Sequence, residues 1–169
     1  RPSNRLVLPP EQRRSVAFRQ EIAPILQQHC ATADCHGGND TPLPLPLTAE
    51  KPSEPDLEKA YAALLAPADG ATKNPEAVPS AGRYVDAGRA RTSWLMWQLF
   101  GVDTSRPWDR GEAPAKARKV KPMPPPGKGD PLSAEELRTV VQWIDSGAPY
   151  DAVKPTEPPA AARPPAPAK

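Results

Sequence analysis

Cys30-Ala31-Thr32-Ala33-Asp34-Cys35-His36 is the stretch that decides how this chain is read. It holds both cysteines of the protein and one of its two histidines. In covalent haem attachment each of two thiols adds to one vinyl group of the porphyrin. The histidine directly after the second cysteine turns under the ring as the proximal iron ligand. The residue types and their order answer to that chemistry, with Cys30 and Cys35 for the vinyls and His36 for the iron. The usual spacing leaves two residues between the cysteines, and here there are four. Ala31, Thr32, Ala33 and Asp34 are small enough to bulge outward while both sulfurs keep their reach. Other readings stay open on these residues alone: a short disulfide between Cys30 and Cys35, or two free thiols. A zinc site that adds His29 is poorer, because structural zinc draws its ligands from two separated pairs and these four are crowded together.

Composition sets bounds around that motif. A chain of 169 residues is one domain's worth, but it has 26 prolines and only 4 Trp, 3 Tyr and 2 Phe, so the material for a core is thin. A buried porphyrin would supply what is missing. A formal net charge of +2 is too mild to argue for nucleic acid. No run of apolar residues is long enough for a transmembrane segment. The first residues, Arg1-Pro2-Ser3-Asn4-Arg5, are polar and form no signal peptide, so attachment of haem outside the cytoplasm implies a mature chain or an excised piece. The expected location is therefore periplasmic or otherwise extracytoplasmic.

Upstream of the motif, Phe18, Ile22, Ile25 and Leu26 fall on one helical face that runs into Cys30, and Pro24 should kink the helix. His29, beside a cysteine tied to the porphyrin rim, is expected to be a solvated surface residue and no second ligand. Downstream, Leu43, Leu45 and Leu47 alternate with prolines in a segment that suits an extended, polyproline-like form, its leucines either walling the haem or covering a helix. Ser53 and Asp56 cap a helix with Leu57, Tyr61, Leu64 and Leu65 on one face. Residues 66–88 read as loop. Arg89 to Gly101 reads as a helix apolar all round, hence buried, with Gly101 at its end. Residues 102–130 lack periodicity and carry Met123 among prolines. Between Arg106 and Asp130 seven basic residues face three acidic ones. Ser133 and Glu136 form a capping box before Leu137, Val140, Val141 and Ile144, and Gly147 closes that helix. The organisation expected is an irregular lead-in over 1–14, a haem domain over 15–150 and a Pro/Ala-rich disordered tail or tether over 151–169.

A helix running into a Cys-to-Cys-His motif, a middle helix, a methionine loop between prolines and a last helix with an aromatic residue resembles the layout of small monohaem c-type cytochromes. Phe18-Arg19-Gln20-Glu21-Ile22-Ala23-Pro24-Ile25-Leu26 before the four-spacer motif looks like the cytochrome c domains of planctomycete-type proteins. Met123-Pro124-Pro125-Pro126-Gly127, Leu132-Ser133-Ala134-Glu135-Glu136 and Trp143-Ile144-Asp145-Ser146-Gly147-Ala148 are similar to the end of the same domains.

The resemblance covers residues 15–150. It implies a mainly α, class I cytochrome c-like fold of about four helices around one haem, with long Pro-rich loops and tails. It also implies one covalent haem c held by Cys30 and Cys35, with His36 as the proximal iron ligand and Met123 as the distal one. Met96, in an apolar helix, is the competing ligand and reads more readily as core. The expected function is electron transfer through a His/Met haem, as a soluble carrier or a subunit of a larger redox complex, without catalytic side chains and not as an enzyme. The basic stretch near Met123 suggests an acidic redox partner. The rival functions are a haem sensor or peroxidase-like enzyme with an open sixth position, and a haem-free module stapled by a disulfide.

Overall fold

A computed structural model describes residues 15–32, 35–37, 43–66, 83–105 and 120–152. Among them every regular element is helical: a π-helical turn Phe18–Ile22, helix α1 (Ala23–His29), α2 (Glu54–Leu65), a 3₁₀ turn Ala90–Thr92, α3 (Trp94–Phe100) and α4 (Ala134–Asp145). The fold is mainly α, as expected, and compatible with a small cytochrome-like domain. The lead-in over 1–14, most of the 66–88 loop, most of the basic 106–130 stretch and all but the start of the 151–169 tail lie outside the described residues.

Pro24 explains how the first helix begins. Its ring excludes an amide at that position and crowds the carbonyl four residues back, so the regular α ladder cannot run through it. The chain widens instead: Ala23 N–H donates to the carbonyl of Phe18, five residues earlier, and the α-helix resumes behind it. The expected kink is thus a π turn. The amides at its start are met from the far end of the chain, with Phe18 N–H on Pro149 O at 2.9 Å and Arg19 N–H on Tyr150 O at 3.1 Å. Ala17 N–H donates to the Glu21 carboxylate at 2.9 Å.

Side chains fill the interior. Phe18, Ile22, Leu26, Leu64, Trp143 and Ile144 are fully enclosed, each worth roughly 1.5–3 kcal/mol of apolar burial. Phe18 lies 5.3 Å from the Tyr61 ring, 5.9 Å from Trp143 and 5.8 Å from Tyr150, centroid to centroid. Polar tips within this cluster find backbone partners: Tyr61 donates to Ala148 O and Trp143 to Pro149 O. Leu43, Leu45 and Leu47 are all buried in the same core, in non-helical backbone, so the alternating segment turns one row of leucines inward.

Two helix ends follow the sequence closely. At α4, Ser133 and Glu136 form both halves of the capping box. Gly147 (φ 98) and Ala148 (φ 52) leave the helix left-handed, with Ala148 N–H on Trp143 O and Gly147 N–H on Ile144 O, a Schellman closure. At α3, Gly101 (φ 65) does the same, with Val102 N–H on Trp97 O.

Three expectations need correction. The apolar segment does not begin as an α-helix at Arg89. Ser93, whose hydroxyl donates to Arg89 O, separates a 3₁₀ turn from α3, and Asp145 on α4 draws in the Ala90 amide at 2.8 Å. Nor is α3 enclosed along its whole length, since Phe100 at its C-terminal end is 47% exposed while Met96 and Trp97, one turn earlier on the same face, are buried. At α2, Ser53 donates its hydroxyl to Asp56, so its oxygen does not cap the helix amides; those of Asp56 and Leu57 go to the Ser53 carbonyl.

Candidate functional site

Helix α1 ends on the motif. Cys30 N–H still donates to Leu26 O, in helical register, and the chain then folds back: Cys35 N–H donates to Thr32 O at 3.0 Å and His36 N–H to Cys30 O at 3.0 Å. Gly37 N–H donates to Thr32 O at 2.9 Å. These bonds bring Cys30, Cys35 and His36 into one turn. Glycine is required after His36, because a Cβ there would lie 2.5 Å from Thr48 Cγ2, 2.7 Å from Ala31 O and 2.9 Å from Thr32 O.

The leucine segment completes the turn. Leu45 N–H donates to His36 O at 2.7 Å, and His36 Nδ1 lies 3.0 Å from Leu43 O. A carbonyl oxygen only accepts, so Nδ1 carries a proton, and in the neutral ring Nε2 keeps its lone pair. This is the tautomer, held by a backbone carbonyl, that a metal-ligating imidazole uses. The half-buried ring is oriented by an element that carries no ligand of its own.

Both cysteines are free thiols. Burial first, and Cys35 second, push the Cys30 thiol up from 9.0 to about 11. Such a thiol is neutral at physiological pH and is no activated nucleophile. Among the described residues no group of three or more His, Cys, Asp or Glu is disposed to hold a bare metal ion, and no helix is long and apolar enough to cross a membrane.

Met123 belongs to a different stretch of chain from the turn. It is half-buried on the loop before α4, and its N–H donates to Gln98 O of α3 at 2.9 Å. Met96, the competing sulfur, is 1% exposed within the hydrophobic core.

His29 contradicts its expectation. It is no solvated surface residue, since its side chain is 6% exposed. Nδ1 lies 3.0 Å from Asp130 O, and Nε2 lies 3.0 Å from Glu136 Oε1. Its partners come from more than a hundred residues away, so the pattern around position 29 carried no sign of them.

With this geometry in view, comparison with known proteins is informative. The chain is similar to hydrazine synthase subunit alpha of Kuenenia stuttgartiensis. The two are 32% identical over 147 residues, which is 83% of this chain but 16% of that protein's length. A solved structure of Kuenenia stuttgartiensis hydrazine synthase aligns with 82% of this chain and 16% of the matched chain, at 29% identity and a TM-score of 0.45. No family model matches the chain. The similarity overturns one expectation, that the protein is a mere carrier with no place in an enzyme's chemistry and is not an enzyme. What the chain matches is part of a protein named as a subunit of a synthase.

Proposed function

We propose that the chain is the haem-bearing part of a redox enzyme complex and carries one haem c. Cys30 and Cys35 hold the porphyrin edge by thioether bonds, His36 Nε2 is the proximal ligand and Met123 the distal one. The observation that carries this reading is the His36 hydrogen bond to Leu43 O, which leaves Nε2 as the one free lone pair of a ring that directly follows a turn bearing two free thiols. The residues present therefore fit the group. When bound, haem supplies a reversible one-electron couple at iron.

The chain's part is to position. Leu43 O keeps the His36 tautomer and ring plane, and the bond to Gln98 O sets the backbone at Met123. Enclosure of Met96 in the core supports Met123 as the sulfur for iron. A thioether there favours the ferrous state and raises the potential relative to a second nitrogen. The haem domain spans residues 15–150, with the lead-in and the tail as tethers to the rest of the assembly, and it works outside the cytoplasm. The similarity to a subunit of hydrazine synthase supports a place within a larger complex, where the basic residues around Met123 meet an acidic redox partner.

The test is the intact mass of the denatured, natively produced protein together with its oxidised and reduced visible spectra. A mass one haem above the chain, and a sulfur-to-iron absorption that Met123→Ala abolishes, is the expected result. The bare chain mass without visible absorption overturns the haem, and an unchanged spectrum in Met123→Ala overturns the distal ligand.

A further inference from the structure

Helix α3 carries an apolar row that outlasts the protein core. Met96 and Trp97 are buried, but Phe100, one turn on along the same face, is 47% exposed, and Val102 just past the helix is 39% exposed. They are the exposed large hydrophobic residues among those described. An apolar residue exposed singly needs no explanation. A pair that continues a buried row, in a chain whose apolar material is thin, calls for something to cover it.

The two ends of that row lie against the two halves of the proposed haem site. At the outer end, Met123 N–H donates to Gln98 O, just before Phe100, and Val120 N–H donates to Gly101 O, between Phe100 and Val102. A Cβ at Gly101 would stand 3.4 Å from Pro122 Cβ, so the segment leading to Met123 runs in contact with the end of α3. At the inner end, Met96 is buried in the same core as Cys30 and Leu43, and Leu43 O is the atom that orients His36. A flat apolar group tied to Cys30 and Cys35 and reaching Met123 therefore has this row beside it. Aromatic faces stack on such a group, and burying them against it removes apolar surface from water.

We propose that Phe100, with Val102 beside it, is a porphyrin-binding residue that packs on the macrocycle next to Met123 and keeps water from the iron. The proposal rests on the haem reading above. Water and its dipoles stabilise the more highly charged ferric state, so an apolar cover raises the potential, in the same direction as the thioether. The backbone bonds to the Met123 segment favour the porphyrin over a protein partner as the group that covers this pair.

The test uses the natively produced chain, whose intact mass first establishes one haem. In the reduced protein, nuclear Overhauser cross-peaks should join the Phe100 ring protons to porphyrin protons. Phe100→Ala should lower the reduction potential by letting water reach the macrocycle, and Phe100→Leu, which keeps an apolar cover, should hold it near that of the unaltered protein. A bare chain mass overturns the proposed function and the cover together. With haem bound, the absence of Phe100 cross-peaks overturns the cover alone and makes the pair a docking patch for protein. A potential unmoved in Phe100→Ala, or lowered equally in Phe100→Leu, also overturns it. If the cross-peaks stand while Met123→Ala leaves the sulfur-to-iron absorption unchanged, the cover stands and the distal-ligand reading falls.

Discussion

The Cys30–His36 turn and the Met123 loop are both assigned to one haem, and they are built in opposite ways. The turn is laced by bonds between near neighbours, Cys35 to Thr32, His36 to Cys30 and Gly37 to Thr32, with the leucine segment closing it. The loop has one such bond, Lys128 N–H on Pro125 O, among its prolines, and is otherwise held by Gln98 and His29, both distant in sequence. In the site proposed, the covalent anchor would lie where structure is local, and the exchangeable ligand where structure depends on the assembled fold.

Glycine substitutions probe the contrast most sharply. Gly37→Ala drives a methyl into Thr48 and two backbone carbonyls that cannot rotate away, and should cost about 3 kcal/mol. Urea unfolding would measure that, and haem incorporation should fall with it. A loss under 1 kcal/mol would mean the turn is loose.

Next in size is an effect of pH on the thiol form of the protein. Cys30 is raised in the folded state, so the fold binds a proton that the unfolded chain releases first. Its contribution is complete below pH 9 and is lost as pH rises toward about 11, on the order of 2 kcal/mol. A thioether has no proton to lose, so the haem-loaded protein should lack this alkaline decline, and equal declines in both forms would remove Cys30 as its source.

Ser133→Ala removes one half of the α4 capping box and should cost about 1 kcal/mol. Because the same Glu136 carboxylate faces His29, exchange protection in the loop should weaken in this variant while the Cys30–His36 turn keeps its own. The smallest effect is expected at Gly129→Ala. Its Cβ would meet only Pro124 side-chain atoms, the nearest at 3.3 Å, so unfolding should shift by no more than about 0.5 kcal/mol. A penalty equal to that of Gly37→Ala would erase the distinction between turn and loop.

Much of the fold was legible because its signals are short-range. The Phe18, Ile22 and Leu26 spacing, the Ser133/Glu136 box and the glycines closing α3 and α4 each act within about two helical turns. The gathering of Cys30, Cys35 and His36 in one turn is local for the same reason. What escaped was long-range. His36 is oriented by Leu43 O, a backbone atom that no side-chain pattern advertises. Phe100 shares a helical face with the buried Met96 and Trp97, and its exposure depends on how far along α3 the core extends.

The sequence by itself determined the helical character, the helix ends and the motif, since backbone sterics, capping and residue order operate between neighbours. Only the tertiary structure decided that His29 is a buried link, that Pro149 and Tyr150 close the first helix and that Gln98 holds Met123. Those outcomes depend on which distant donors and acceptors packing excludes from water, and a buried polar group takes whatever partner the fold delivers.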